Sequence, residues 1–213
     1  MPREDAAQPE FWEKRFREGF TPWDAGRVPA ALHEFLKTEP RGQRVLIPGC
    51  GSGYEVRAFA EAGHDVLAID FAPAAVERAQ RILGPLAQLV RREDFFRFDP
   101  GGPFDLVYER AFLCALPRPL WPRYAPRVSR LLRPEGRLAG FFYFDDGERG
   151  PPFGLKPGEL EALLGAIFEL SVDAAVTDSI PIFTGKERWQ IWSLKRTRSL
   201  PAKAGTPAAA RRC

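Results

Sequence analysis

The 213-residue chain lacks much of what several protein classes require. It has no run of 18 apolar residues, and its first stretch, MPREDAAQPE, is charged where a secretory leader needs an apolar core. A membrane span and export are therefore not expected, and the protein is placed in the cytoplasm. Cysteine is scarce. Cys50, Cys114 and Cys213 are odd in number and never spaced C-x-x-C, which argues against a disulfide framework or a zinc site and for reduced thiols. Only two histidines occur, and no catalytic His or Cys dyad stands out.

The net charge of +3 is also thinner than it looks. Six of the 31 basic residues lie from Lys195 onward, where there is no acid, so residues 1–194 carry 25 basic against 28 acidic groups, a net of −3. An acidic body does not present the basic face that DNA or RNA binding needs. Residues 196–213, rich in Ala and basic groups without apolar periodicity, are expected to form a disordered tail. With 45% hydrophobic residues, residues 1–195 can bury one sizeable core, and a single monomeric domain is expected.

What is present is a regular alternation of strand and helix signals. RVLIPG reads as a buried strand, YEVRAFAEAG as a helix closed by Gly63, and DVLAID as a second strand. APAAVERAQRIL is a helix, AQLVRRED a third strand and FDLVYE a fourth. RPLWPRYAPRVSRLL follows as a helix, RPEGR as a turn, RLAGFFYFD as the fifth strand and ELEALLGAIFE as a helix. LSVDAAVT and RWQIWSLK close the chain as a hairpin. Such alternation predicts an α/β fold, a mostly parallel sheet with helices on both faces.

In such a sheet ligands bind at the carboxyl ends of the strands, where PGCGSGY falls. Gly49, Gly51 and Gly53 let the backbone turn sharply and approach a nucleotide. Asp70, ending the next strand, is placed to accept both ribose hydroxyls. A dinucleotide fingerprint needs G-x-G-x-x-G, but its third glycine is here Tyr54, and no Walker lysine follows. An adenosine ligand without a diphosphate points to S-adenosyl-L-methionine. The plain alternative is a glycine turn without ligand.

Five ordered motifs, FWEKRFREGFTPWDAG, PGCGSGYEV, EDFF, YERAFLCALP and GPPFG, resemble the thiopurine S-methyltransferase superfamily, which includes thiol and halide methyltransferases. The resemblance covers residues 11–195 and implies a Rossmann-like class I methyltransferase fold, a seven-stranded sheet with its last strand antiparallel. It implies S-adenosyl-L-methionine as cofactor, contacted by Trp12, Phe16 and Trp23 from an N-terminal lid helix at 9–20, and by Gly49, Gly51, Asp70 and Phe71. Asp94 and Phe95 fall near the adenine, and Arg110 faces both cofactor and acceptor, the implied catalytic residue. The glycine loop and Asp70 resemble the halide and thiol branch, whereas Arg110 resembles the thiopurine branch. The acceptor expected is a small molecule: a thiol, a thiopurine or a soft anion such as thiocyanate, a halide or a chalcogen oxyanion. No metal is expected.

Each residue has a plainer reading. Trp12, Phe16 and Phe20 fit an ordinary helical core face. Asp94 could only cap a turn, and Arg110 could be a solvated charge or pair with Glu109 or Asp105. His64 reads as a turn residue, Cys114 as core, and Cys50 lacks the base a nucleophile needs. Methyl transfer to an anionic acceptor needs alignment and exclusion of water more than acid–base help. A nicotinamide oxidoreductase, disfavoured by Tyr54, and a noncatalytic cofactor-binding protein are the rival readings.

Overall fold

A computed structural model describes residues 5–196. The expectation for the tail lies outside the described residues, apart from Arg196. Seven strands form one sheet: β1 (Arg44–Pro48), β2 (Asp65–Asp70), β3 (Val90–Arg92), β4 (Phe104–Arg110), β5 (Leu132–Tyr143), β6 (Phe168–Ala175) and β7 (Glu187–Leu194). Their order is β3-β2-β1-β4-β5-β7-β6. β1 to β5 run parallel, and β7 inserts between β5 and β6, antiparallel to both. The expected closing hairpin is present, and the sheet is the expected one.

The central strands read as continuous apolar runs because both faces are covered. On one face α2 (Ala30–Thr38), α3 (Tyr54–Glu61) and α4 (Pro73–Leu83) bury Leu32, Phe35, Val56, Phe59 and Val76 against Val45, Ile47, Leu106 and Tyr108. On the other, α5 (Trp121–Leu131) and α6 (Glu159–Leu164) bury Trp121, Tyr124, Val128, Leu160 and Leu164 against Leu46, Val107, Leu138 and Trp192. The remaining helix, α1 (Pro9–Arg17), packs on α4 at the carboxyl edge of the sheet.

Several boundaries differ from the sequence reading. α2 was not anticipated, because Pro29 and a nine-residue length leave only Leu32, Phe35 and Leu36 as its apolar face. The expected RPEGR turn lies inside β5: the register jumps from Phe104↔Leu132 to Leu106↔Arg137, and Glu135 takes a φ of 65°. The helix expected through Glu169 ends at Leu164, where Gly165 follows and the backbone joins edge strand β6 at Phe168. β3 is also shorter than AQLVRRED, since residues 84–89 coil into a 3-10 turn.

Candidate active site

The strand order reverses between β1 and β4, and a cavity of about 510 Å³ opens over the carboxyl ends of those strands. Trp12, Phe16 and Trp23 line it from the N-terminal segment. Gly49, Gly51, Asp70 and Phe71 line it from the loops after β1 and β2, Asp94 and Phe95 from the loop after β3, and Arg110 from the tip of β4. Every site residue expected from sequence faces this one space.

The glycine loop adopts the expected left-handed backbone, with φ of 59° at Gly49, 52° at Gly51 and 78° at Gly53. A Cβ on Gly49 would meet Phe112 Cδ2 at 2.4 Å, whereas one on Gly51 would meet nothing nearer than Phe16 Cζ at 3.8 Å. The space above Gly51 is thus the cavity itself. Gly53 performs the close-packing role of a third glycine: its Cβ would press on Leu83 and Ala79 of α4 at 3.2 and 3.3 Å. Tyr54 can therefore follow it without breaking the loop. Asp70 accepts hydrogen bonds from Gly51 N–H (3.2 Å) and Ala72 N–H (3.0 Å). Burial nonetheless lifts its carboxyl to about 6. Cys50 is buried, and burial raises its thiol well above the ordinary range, as an inert thiol requires.

The lid is a helix followed by a pinned loop. α1 ends at Arg17, three residues short of the expected span, and Phe20 is 61% exposed at the cavity rim instead of belonging to a core face. Trp23 takes edge contacts from Trp12 at 5.3 Å and Phe16 at 6.0 Å. Glu13 of α1 accepts a hydrogen bond from Ala74 N–H (2.6 Å), supplying the side-chain cap that Ala72 cannot give to α4. Asp24 accepts from Ser52 Oγ (2.5 Å) and from Arg78 Nη2 (2.9 Å), tying the lid loop to the glycine loop and to α4. Sequence reasoning missed Ser52, Arg78 and Glu13. Asp24 stood in the TPWD motif, but only folding brings its partners to it.

Asp94 does cap its turn, accepting from Phe96 N–H (2.8 Å), and it also faces the cavity. Beside it Phe95 is buried against Phe112, with ring centroids 5.0 Å apart. His64 sits in the turn before β2 as expected, its pKa lowered by burial. Cys114 is buried as expected, and it also lies on the cavity wall.

Arg110 is neither a solvated charge nor paired with Glu109 or Asp105. Its Nη1 lies 3.6 Å from Glu55 Oε1 on α3, its Nε 3.8 Å from Glu187 Oε1 on β7, and its side chain is 9% exposed. Asp105 instead accepts from Arg44 N–H (2.6 Å), and Glu109, on the other face of the sheet, accepts from Phe112 N–H (2.9 Å). Burial raises Glu109 to about 7, and burial raises Glu55 and Glu187 as well, against the pull of Arg110. Glu55 faces the cavity and was not anticipated; nothing in the residue itself, one step into a helix, marks it.

The arrangement suits an adenosine ligand. A left-handed glycine turn leaves open space over Gly51, a buried carboxylate ends the neighbouring strand, and aromatic rings close the top. Among the described residues no group of three or more His, Cys, Asp or Glu could hold a metal ion, and no helix is long and apolar enough to cross a membrane. The family model described as thiopurine S-methyltransferase matches residues 7–198. The chain belongs to that family. It is an S-adenosyl-L-methionine-dependent S-methyltransferase. Among similar proteins, the probable thiol methyltransferase 2 of Arabidopsis thaliana is 35% identical over 160 residues, covering 72% of this chain and 70% of the relative. Thiocyanate methyltransferase 1 of the same plant is 33% identical over 189 residues, covering 85% and 83%. The solved 1,6-didemethyltoxoflavin-N1-methyltransferase of Burkholderia thailandensis shares the fold, with a TM-score of 0.69 at 24% identity, covering 92% of this chain and 93% of that one.

Proposed function

We propose that the enzyme methylates the sulfur of a small, uncharged thiol, with residues 1–195 working as one catalytic unit and the segment 9–20 as its lid. One observation carries the choice of a neutral acceptor: the Arg110 charge is already opposed by Glu55 and Glu187, so this end of the cavity holds no surplus positive charge for an anion. The surrounding wall, Trp23, Cys114, Pro151, Pro152, Ile182 and Phe183, is mostly apolar and suits a hydrocarbon or aromatic body on the thiol. The likeness to a thiol methyltransferase supports the same reading.

The cofactor half lies over β1 to β3. Asp70 would receive the ribose hydroxyls, Gly49 and Gly51 the methionine portion, and Phe71, Asp94 and Phe95 the adenine side, with Trp12, Phe16 and Trp23 above. When bound, S-adenosyl-L-methionine supplies a methyl group on a sulfonium. The acceptor half lies over β4, β5 and β7, bounded by Arg110. The chain contributes alignment and a dry enclosure, which together account for most of the acceleration of such a displacement.

The test is a panel of aliphatic thiols, aryl thiols and thiopurines beside thiocyanate, iodide and a chalcogen oxyanion. The highest kcat/KM is expected on an uncharged thiol. Faster turnover of thiocyanate or iodide would replace the reading with the anion reading that the thiocyanate methyltransferase relative favours. Tight cofactor binding with no methyl transfer to any of them would leave a noncatalytic binding protein.

A further inference from the structure

The end of β4 and the start of β7 hold more polar groups than they satisfy. Tyr108 Oη, Arg110 Nε and Glu187 Oε2 are buried without a hydrogen-bond partner. Tyr108 and Arg110 both face the cavity, and their burial exceeds nine-tenths. Buried polar atoms are almost always partnered, so orphans in a cavity wall mark where a polar atom of a ligand belongs.

The carboxylates around the cavity are not equivalent. Asp24 is held by Ser52 and Arg78, Asp70 by two backbone N–H groups, and Asp94 by Phe96 N–H. Glu55 accepts from its own backbone N–H and has Arg110 Nη1 at 3.6 Å, so its cation contact is a loose one, and it lines the same cavity wall as Arg110. An uncharged thiol must also lose its proton, because the thiolate is the nucleophile. We propose that Glu55 accepts the thiol proton during methyl transfer, an inference that rests on the neutral-thiol reading above.

The step balances. The S–H bond breaks, its proton passes to a Glu55 carboxylate oxygen and its electron pair stays on sulfur. That pair forms the new carbon–sulfur bond to the methyl group while the sulfonium carbon–sulfur bond breaks toward the donor sulfur. A carboxylate, a neutral thiol and a cationic donor become a carboxylic acid, a thioether and a neutral sulfide. The proton then leaves to solvent. The charges that act on Glu55 are Arg110 on β4, which favours its ionised form, and Asp24 in the lid loop, which opposes it; Tyr108 on β4 and Cys50 in the glycine loop also face it and are held protonated by burial and by its charge. Glu187 on β7 acts through Arg110. Burial holds the Glu55 carboxyl above its ordinary range, which makes it a better proton acceptor than an exposed glutamate.

The experiment compares wild type with Glu55→Gln at saturating cofactor, using an aliphatic thiol that titrates near pH ~8.5 and a strongly acidic aryl thiol that is ionised throughout. Wild type should show a flat kcat/KM for the aliphatic thiol between pH 6.5 and 8. In Glu55→Gln the same parameter should follow the thiolate fraction and rise about 25-fold over that interval, since a residue acting as base is no longer present. At pH 6.5 the ratio of aliphatic to acidic thiol turnover should fall at least tenfold. A merely structural residue would depress both acceptors alike and leave the pH profile unchanged, and that result overturns the proposal. The same profile appearing in Glu187→Gln and not in Glu55→Gln would also overturn it, moving the role to Glu187. If Glu55→Gln does not fold, Glu55→Asp must keep the flat profile at a lower rate, and a thiolate-dependent profile there counts against Glu55. Failure of wild type on every thiol, with cofactor binding intact by calorimetry, instead removes the neutral-thiol reading itself.

Discussion

Asp70 shows how burial and ligand work against each other at a single side chain. Its carboxyl is lifted from the ordinary 3.8 to about 6 by burial, only partly offset by the N–H groups of Gly51 and Ala72. Ribose hydroxyls donating to it would favour the ionised form, so cofactor binding should be coupled to loss of a proton. S-adenosyl-L-methionine affinity is expected to be constant above pH 7 and to fall up to tenfold per unit below about pH 6. Calorimetry in buffers of different ionisation enthalpy should show proton release on binding near pH 6. Asp70→Asn should lose affinity by about 1 to 3 kcal/mol, the usual worth of a hydrogen bond to a charged group, and lose the pH dependence with it. Affinity that is independent of pH between 5 and 7 would place the ribose elsewhere. The acid at the end of DVLAID was legible in the sequence. The two N–H groups that already engage it, and the burial that raises it, were not.

At the scale of elements, the lid is held by polar contacts that span the chain. Glu13 caps α4, and Asp24 joins Ser52 to Arg78, so three elements far apart in sequence meet at the cavity mouth. The Arg78–Asp24 pair is only 30% and 10% exposed, so it is worth more than a surface ion pair. Asp24→Ala should therefore free residues 18–28, raise the cofactor Kd by about tenfold and lower global stability by less, near 1 kcal/mol. Limited proteolysis should show earlier cleavage in that loop, with cofactor no longer protecting it fully. Unchanged affinity and unchanged cleavage would mean that the aromatic contacts of Trp12, Phe16 and Trp23 hold the lid by themselves. The helix at the start of the chain was legible from its aromatic spacing. Its end at Arg17 was not, because Gly19, with a φ of 69°, turns the backbone away before Phe20 can join the helical face.

For the whole molecule, the buried acids give stability a direction in pH. Asp70 near 6 and Glu109 near 7 both titrate above their unfolded values. Each native carboxyl therefore keeps its proton longer than the unfolded one, and native stability falls as pH rises from about 4 through 7. Each shift corresponds to roughly 3 kcal/mol, so the ligand-free protein should melt several degrees higher at pH 5 than at pH 8. Glu55 and Glu187 are raised in the same direction. The lowered carboxyls of Asp145, Glu159, Asp173 and Asp178 act only below their ordinary range, toward pH 4 and under. Glu109→Gln should raise Tm at pH 8 and leave it nearly unchanged at pH 5; an equal rise at both would mean that titration of Glu109 is not the source of the pH dependence. The sequence by itself determined the alternating βα order, the parallel central strands, the closing hairpin, the glycine turn and Asp70. These are local in origin: apolar runs of strand length, glycines that tolerate positive φ, and an acid at a strand end carry their meaning within a few residues. Only the tertiary structure decided the partners of Arg110, the latch through Asp24 and the place of Glu55 on the cavity wall beside Arg110. Glu55 and Glu187 stand 132 positions apart, and two carboxylates come to share one buried guanidinium only after the fold has brought α3, and β7 across β5, to the tip of β4. Charge pairing over such separations leaves no period or spacing in the chain, because the fold, and not the neighbouring residues, brings the charges together.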